Sequence, residues 1–145
     1  MPEAKKIFEV TAPIEKVWGF LRDMKQVGSC VPGCEGVCIV NEKDTDWKVK
    51  VSFGPFTKTI IMRAHTTLEN PPNKGEWTAA GDDLYTKGSV ELKKLSENKT
   101  EVVYWSSVSA NGILAKLAEP IIKLKISADA AEFAERVKKK VEEAS

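Results

Sequence analysis

Apolar and polar positions alternate in the first stretch of the chain, where Phe8, Val10 and Ala12 take every second place and Ile7, Glu9 and Thr11 lie between them. That period of two predicts a strand over about residues 5 to 12. Pro13 and Glu15 suit a helix start, because proline loses no needed donor there and a carboxylate meets the positive end of the helix dipole. Val17, Trp18, Leu21 and Met24 recur at three- or four-residue spacing, so a short helix buries one stripe before Gly28 interrupts it. Residues 25 to 33 are expected to form turns or a second short helix.

From Gly36 the pattern is almost entirely that of strands, the first over residues 36 to 42. Trp47, Val49, Val51 and Phe53 alternate with Lys48, Lys50 and Ser52, which predicts a half-buried strand. Gly54-Pro55 turns it into a hairpin partner through Ile60, Met62, Ala64, Thr66 and Leu68. Asn70-Pro71-Pro72-Asn73 ends that partner, since the prolines cannot donate to a ladder. Three more strands are predicted at about 75 to 82, 84 to 95 and 100 to 110. Asp82-Asp83 and Ser96-Glu97-Asn98-Lys99 are their polar turns, and such short links make consecutive strands antiparallel neighbours. After Asn111-Gly112, Leu114, Leu117, Ile121, Leu124, Ala128, Ala131, Phe133, Val137 and Val141 fall at helical spacing. Pro120 should kink this long terminal helix or divide it into a short lead-in and a main segment over 120 to 143, ~36 Å long.

An α+β architecture follows, with two short helices after the first strand, seven antiparallel strands in all and one long helix. Seven strands ~4.8 Å apart make a sheet ~30 Å wide, whereas one helix is only ~10 to 12 Å across. The sheet must curl around the helix to hide its apolar face, and Gly36, Gly54, Gly81 and Gly88 are candidate bends or bulges. Such a grip leaves space that side chains or a ligand must fill. The expected lining is Trp47, Val49, Phe53, Ile60, Met62, Trp77, Val90, Tyr104, Leu117, Ile121 and Leu124, all of them residue types that also serve as ordinary core.

Composition then excludes several classes of function. The 145 residues fit one domain, and 42% hydrophobic with 30% charged residues is the mixture of a chain that folds alone. Formal net charge is +1, so no bulk field attracts a polyanion and nucleic acid is not an expected partner. A single histidine, His65, removes His-rich metal sites and the usual triads, and with them most hydrolase chemistry. No stretch reaches the ~18 apolar residues of a membrane span, and the start lacks a signal-peptide core, so a cytoplasmic location is expected. Cys30, Cys34 and Cys38 are expected to be reduced, inert thiols.

Four segments carry a family resemblance: Phe8-x-Val10-x-Ala12-Pro13-x-x-x-Val17-Trp18-x-Phe20-Leu21, Val31-Pro32-Gly33-Cys34-Glu35, Gly88-x-Val90, and Val108-Ser109-Ala110-x-Gly112-x-Leu114-Ala115. Together they resemble the carbon monoxide dehydrogenase G-subunit family of the START-like superfamily, which also holds polyketide cyclases, pollen allergens and steroid-transfer domains. The resemblance implies a helix-grip fold around a hydrophobic pocket. It also implies a role in binding a lipid-like or isoprenoid quinone-like molecule, or in bringing a molybdenum hydroxylase to the membrane. Some members have a hydrophobic terminal tail; this sequence ends at Val141-Glu142-Glu143-Ala144-Ser145 without one, so at most peripheral membrane contact is expected.

Polar candidates are few. Alternation along the hairpin strand turns Arg63 and His65 outward, and only a one-residue slip in register would bring them into the pocket. Tyr104, Ser106 and Ser109 could offer hydroxyls inward. Asp82, Asp83, Glu69 and Glu76 lie at turns or strand ends and should be solvated. No Gly-rich phosphate cradle is present, and no cofactor is expected. The expected function is that of a non-enzymatic carrier or binding protein for a hydrophobic small molecule, an accessory factor to a carbon monoxide dehydrogenase-type molybdenum hydroxylase. Burying ~300 Å² of apolar ligand surface would supply ~7 kcal/mol before association costs. Two alternatives stand beside it: a cyclase- or dehydratase-like enzyme acting on an aromatic substrate, and a docking module using the outer sheet or the terminal helix, where Ile122 and Ile126 lie off the main stripe.

Overall fold

A computed structural model gives the architecture; it describes residues 2–53, 55–116 and 119–144, without the side chains of Phe53, Phe56, Ile113 and Leu114. The elements run β1 (Glu3–Val10), α1 (Ile14–Arg22), α2 (Met24–Gly28), β2 (Cys34–Ile39), β3 (Asp44–Phe53), β4 (Phe56–Asn70), β5 (Lys74–Gly81), β6 (Leu84–Ser96), β7 (Lys99–Ala110), a 3-10 turn (Gly112–Lys116) and α3 (Glu119–Glu143). All seven strands form one sheet in the order β1-β7-β6-β5-β4-β3-β2. Every neighbouring pair is antiparallel, and β1 joins the end of the meander through partners such as Phe8 and Val102.

Local chemistry sets the boundaries that differ from the sequence reading. Strand β1 ends at Val10 rather than Ala12 because the Thr11 N–H leaves the ladder and donates to the Glu142 carboxylate of α3 at 2.8 Å. The first helical stripe is cut in two at Asp23, whose carboxylate accepts from the N–H groups of Lys25 and Gln26 and so caps a new helix. Strand β2 stops at Ile39 because the Asn41 side chain accepts from the N–H groups of Lys43 and Asp44 and turns the chain. Ladder irregularities fall at Cys34/Gly36, Thr66/Leu68 and Lys94/Ser96, so of the glycines expected to bend the sheet Gly36 marks a bulge. Gly81 and Gly88 sit in the unbroken β5–β6 ladder and permit close approach instead, while Gly54 lies outside the described residues.

Pro120 occupies the first turn of α3, where its ring disturbs no interior hydrogen bond, and the 3-10 turn is the separate lead-in. The buried stripe of α3 is Ile122, Ile126, Ala130, Phe133, Ala134, Val137 and Val141. This corrects the expected stripe: Ile121 is 41% and Leu124 74% exposed, whereas Ile122 and Ile126 are core. The reason is helical phase. A step from Ala131 to Phe133 spans only two residues and rotates off any single face, while steps of four and three lead back unbroken from Phe133 through Ala130 and Ile126 to Ile122. Lys123 and Lys138 donate to the backbone carbonyls of Glu3 and Glu9, both at 2.9 Å, and pin the helix along β1.

The core is divided. One cluster gathers Val10, Val17, Trp18, Leu92, Val102, Phe133 and Val137 around α1 and the far half of α3. The other gathers Ile60, Met62, Leu84, Val108, Ile122 and Ile126 around the near half, and Tyr104 packs against both.

Candidate functional site

Between these clusters, a pocket of about 390 Å³, open to solvent at its rim, lies between the inner face of the sheet and α3. Such a volume lies within the roughly 300 to 1,000 Å³ usual for small-molecule pockets. Trp47 and Val49 from β3, Ile60 and Met62 from β4, Trp77 from β5, Val90 from β6 and Tyr104 from β7 all line it, as alternation predicts. Phe53 and Leu117 cannot be placed, since that side chain and that residue lie outside the described set. Ile121 and Leu124 do not line it, because the phase of α3 turns them to the outside; Ile126, Asp129 and Phe133 take the helix side instead.

One wall is aromatic. Trp77 and Tyr104 stack with centroids 6.2 Å apart and planes at 20°, and Tyr104 tilts against Phe133 at 5.0 Å, which carries the wall from the sheet to the helix. Trp77 can lie over β6 because its ladder partner is Gly88, where a Cβ would fall within the indole. A second hollow of about 180 Å³ shares Trp77, Tyr104 and Phe133 and adds Ser106. Burial pushes the Tyr104 hydroxyl above its ordinary value, with Asp129 reinforcing the shift and Ser106 opposing it, so the group is a neutral donor. Trp18, 8% exposed, also borders the cavity, and its indole N–H is buried with no hydrogen-bond partner among the described residues. An orphaned donor of that kind costs about 1 to 3 kcal/mol.

Charged groups reach the lining in balanced number. Among the described residues these are Arg22, Lys43, Lys50 and Lys125 against Glu42, Glu69, Glu76 and Asp129. Lys125 donates to Asp129 at 2.9 Å, and Arg22 stands 3.7 Å from Glu69. Lys125, Asp129, Thr86 and Trp18 were missed as site residues. The signal for two of them lies in the sequence, since Lys125 and Asp129 stand two turns and one turn before Phe133 once that residue fixes the helical phase.

Arg63 pairs with Asp46, and His65 Nδ1 lies 2.7 Å from Asp44 Oδ1, both on the outer face as expected; His65 borders the rim of the cavity. Asn41 and then His65 hold the Asp44 carboxyl below its ordinary value, and Arg63 does the same for Asp46. Ser106 borders the smaller hollow, but Ser109, an odd number of residues from Tyr104, falls on the opposite face. Glu69 and Glu76 are partly solvated at the rim. Cys30 is fully buried, Cys34 half-buried and Cys38 exposed, and burial raises the first two thiols. No helix among the described residues is long and apolar enough to cross a membrane.

The family model of the carbon monoxide dehydrogenase G-subunit, CoxG, matches residues 7–142. No curated protein matches the chain. Among solved structures, a conserved protein from Geobacillus kaustophilus superimposes with a TM-score of 0.86 at 16% identity, covering 98% of this chain and 96% of its own. A START superfamily protein from Mycobacterium smegmatis gives 0.84 at 13% identity, covering 99% of each chain. The Zhui aromatase/cyclase from Streptomyces sp. R1128 gives 0.75 at 16%, covering 97% of this chain and 93% of its own. Identities this low establish the helix-grip, START-like fold and nothing finer.

Proposed function

The chain belongs to the CoxG family of carbon monoxide dehydrogenase, and from that premise we propose that it is a non-enzymatic carrier of a hydrophobic small molecule, lipid-like or isoprenoid quinone-like, serving a molybdenum hydroxylase of the carbon monoxide dehydrogenase type. One observation carries the reading: a pocket of about 390 Å³ whose wall includes Trp47, Trp77, Tyr104 and Phe133 lies where members of both core clusters meet. A pocket of this volume with an apolar, aromatic wall is of the kind that takes a small molecule. Removal of the guest's apolar surface from water supplies the affinity.

A cyclase-like reading finds some support in the Lys125–Asp129 pair, which brings ionisable groups to the lining, and in the shared fold of an aromatase/cyclase. It ranks second because those two groups neutralise each other, and Tyr104 is held in its neutral form. A docking module would use the outer surfaces, where Ile121 and Leu124 are exposed while Ile122 and Ile126 are committed to the core.

Organic extraction of the purified protein followed by mass spectrometry tests the carrier reading. A stoichiometric lipid or prenylated compound is the expected result. Recovery of none, together with no binding to a panel of hydrophobic compounds, would overturn it.

A further inference from the structure

Where the main pocket meets the smaller hollow, an acceptor on the helix shares one space with hydroxyls on the sheet. Asp129 of α3 borders both spaces. Its Oδ1 takes the Lys125 ammonium at 2.9 Å, while its Oδ2 has no hydrogen-bond partner among the described residues. A carboxylate can only accept, so the group left to satisfy it must carry a proton. From the sheet side the smaller hollow is bordered by Thr86 of β6 and by Tyr104 and Ser106 of β7. In the β6–β7 ladder Gly88 stands opposite Ser106 and Val90 opposite Tyr104, so alternation puts all three hydroxyl-bearing residues on the inner face. The Thr86 hydroxyl has no hydrogen-bond partner among the described residues.

We propose that Asp129 and the hydroxyls of Thr86, Tyr104 and Ser106 form a subsite for an alcohol, so that the guest is amphipathic and places an O–H group at this corner. The O–H donates to Asp129 Oδ2, and its oxygen accepts from the sheet hydroxyls. Trp77 and Phe133, which border both spaces, cover the adjoining apolar body. A hydroxyl suits the corner because it donates and accepts at one atom, whereas an ether or ester oxygen only accepts and leaves the carboxylate unserved. The inference rests on the carrier reading and specifies one end of its guest.

Titration of the full chain with decanol and with decyl methyl ether provides the test, followed by tryptophan fluorescence, since Trp18, Trp47 and Trp77 border the pocket. Decanol should bind about tenfold more tightly, the two ligands differing by one hydrogen bond to a charged acceptor. In Asp129→Ala the two affinities should come within about twofold of each other, whereas Asp129→Asn keeps an acceptor and should hold a preference above about threefold. Lys125, once released, can donate to the oxygen of either compound, so the ratio of affinities still reports on the acceptor. Equal affinity for both compounds in the wild type would overturn the subsite and leave the carrier standing. So would a preference that survives Asp129→Ala, because it would come from the bulk of the ether methyl group. Binding of neither compound would overturn both.

Discussion

The aromatic wall depends on an atom that is missing. Gly88 faces Trp77 across the β5–β6 ladder, and the indole occupies the space a Cβ would need. Gly88→Ala should therefore destabilise the fold by about 1 to 3 kcal/mol through overpacking, as read in a denaturant titration. Displacement of Trp77 should also weaken binding of any guest. The glycine was legible as special within its strand, but its purpose was not. A bulge and a close approach leave the same mark in a sequence, and only the cross-strand partner decides between them. Tyr104 was legible for a better reason: a bulky apolar-bodied residue at an inward position of a central strand has nowhere to go except the interior. Its Asp129 neighbour was not, because a carboxylate on a helix is read by default as solvated.

Elements were easier to recognise than their edges or their rotation. Alternation bounded by polar turns located β5, β6 and β7 nearly to the residue, while the ends of β1 and β2 were set by side-chain acceptors, Glu142 and Asn41, that no periodicity reveals. The early turns of α3 offer two apolar stripes, one through Ile121 and Leu124 and one through Ile122 and Ile126. Only the phase imposed by Phe133 and Val137 selects the second. Chemical denaturation can check the assignment. Ile122→Ala should cost about 2 to 5 kcal/mol as a cavity in the core, whereas Leu124→Ala should stay within about 0.5 kcal/mol of the parent. The reverse ranking would mean that the helix is rotated.

Across the whole molecule, carboxylates tie remote parts of the chain together, and their protonation should loosen it. Glu142 is held below its ordinary value of 4.5, first by Lys138 and then by the Thr11 N–H, and Asp23, Asp44 and Asp46 lie below their ordinary 3.8. A carboxylate lowered by folding contributes stability that is complete above its unfolded value and is lost as the pH falls through the folded one. Thermal melts should therefore be insensitive to these groups near neutrality and should drop in acid. Glu142→Gln should flatten part of that acid limb. Tyr104 acts at the other end: above its ordinary 10.0 only the unfolded chain releases the proton, so alkali also favours unfolding.

Both core clusters rest on one continuous sheet and one helix, and Tyr104 packs against each of them. The stretch of α3 from Ile126 to Phe133 passes from one cluster to the other and borders the pocket. A guest that binds there in the folded chain alone would add RT ln(1 + [L]/Kd) to the stability of the whole, so the melting temperature should rise with its concentration.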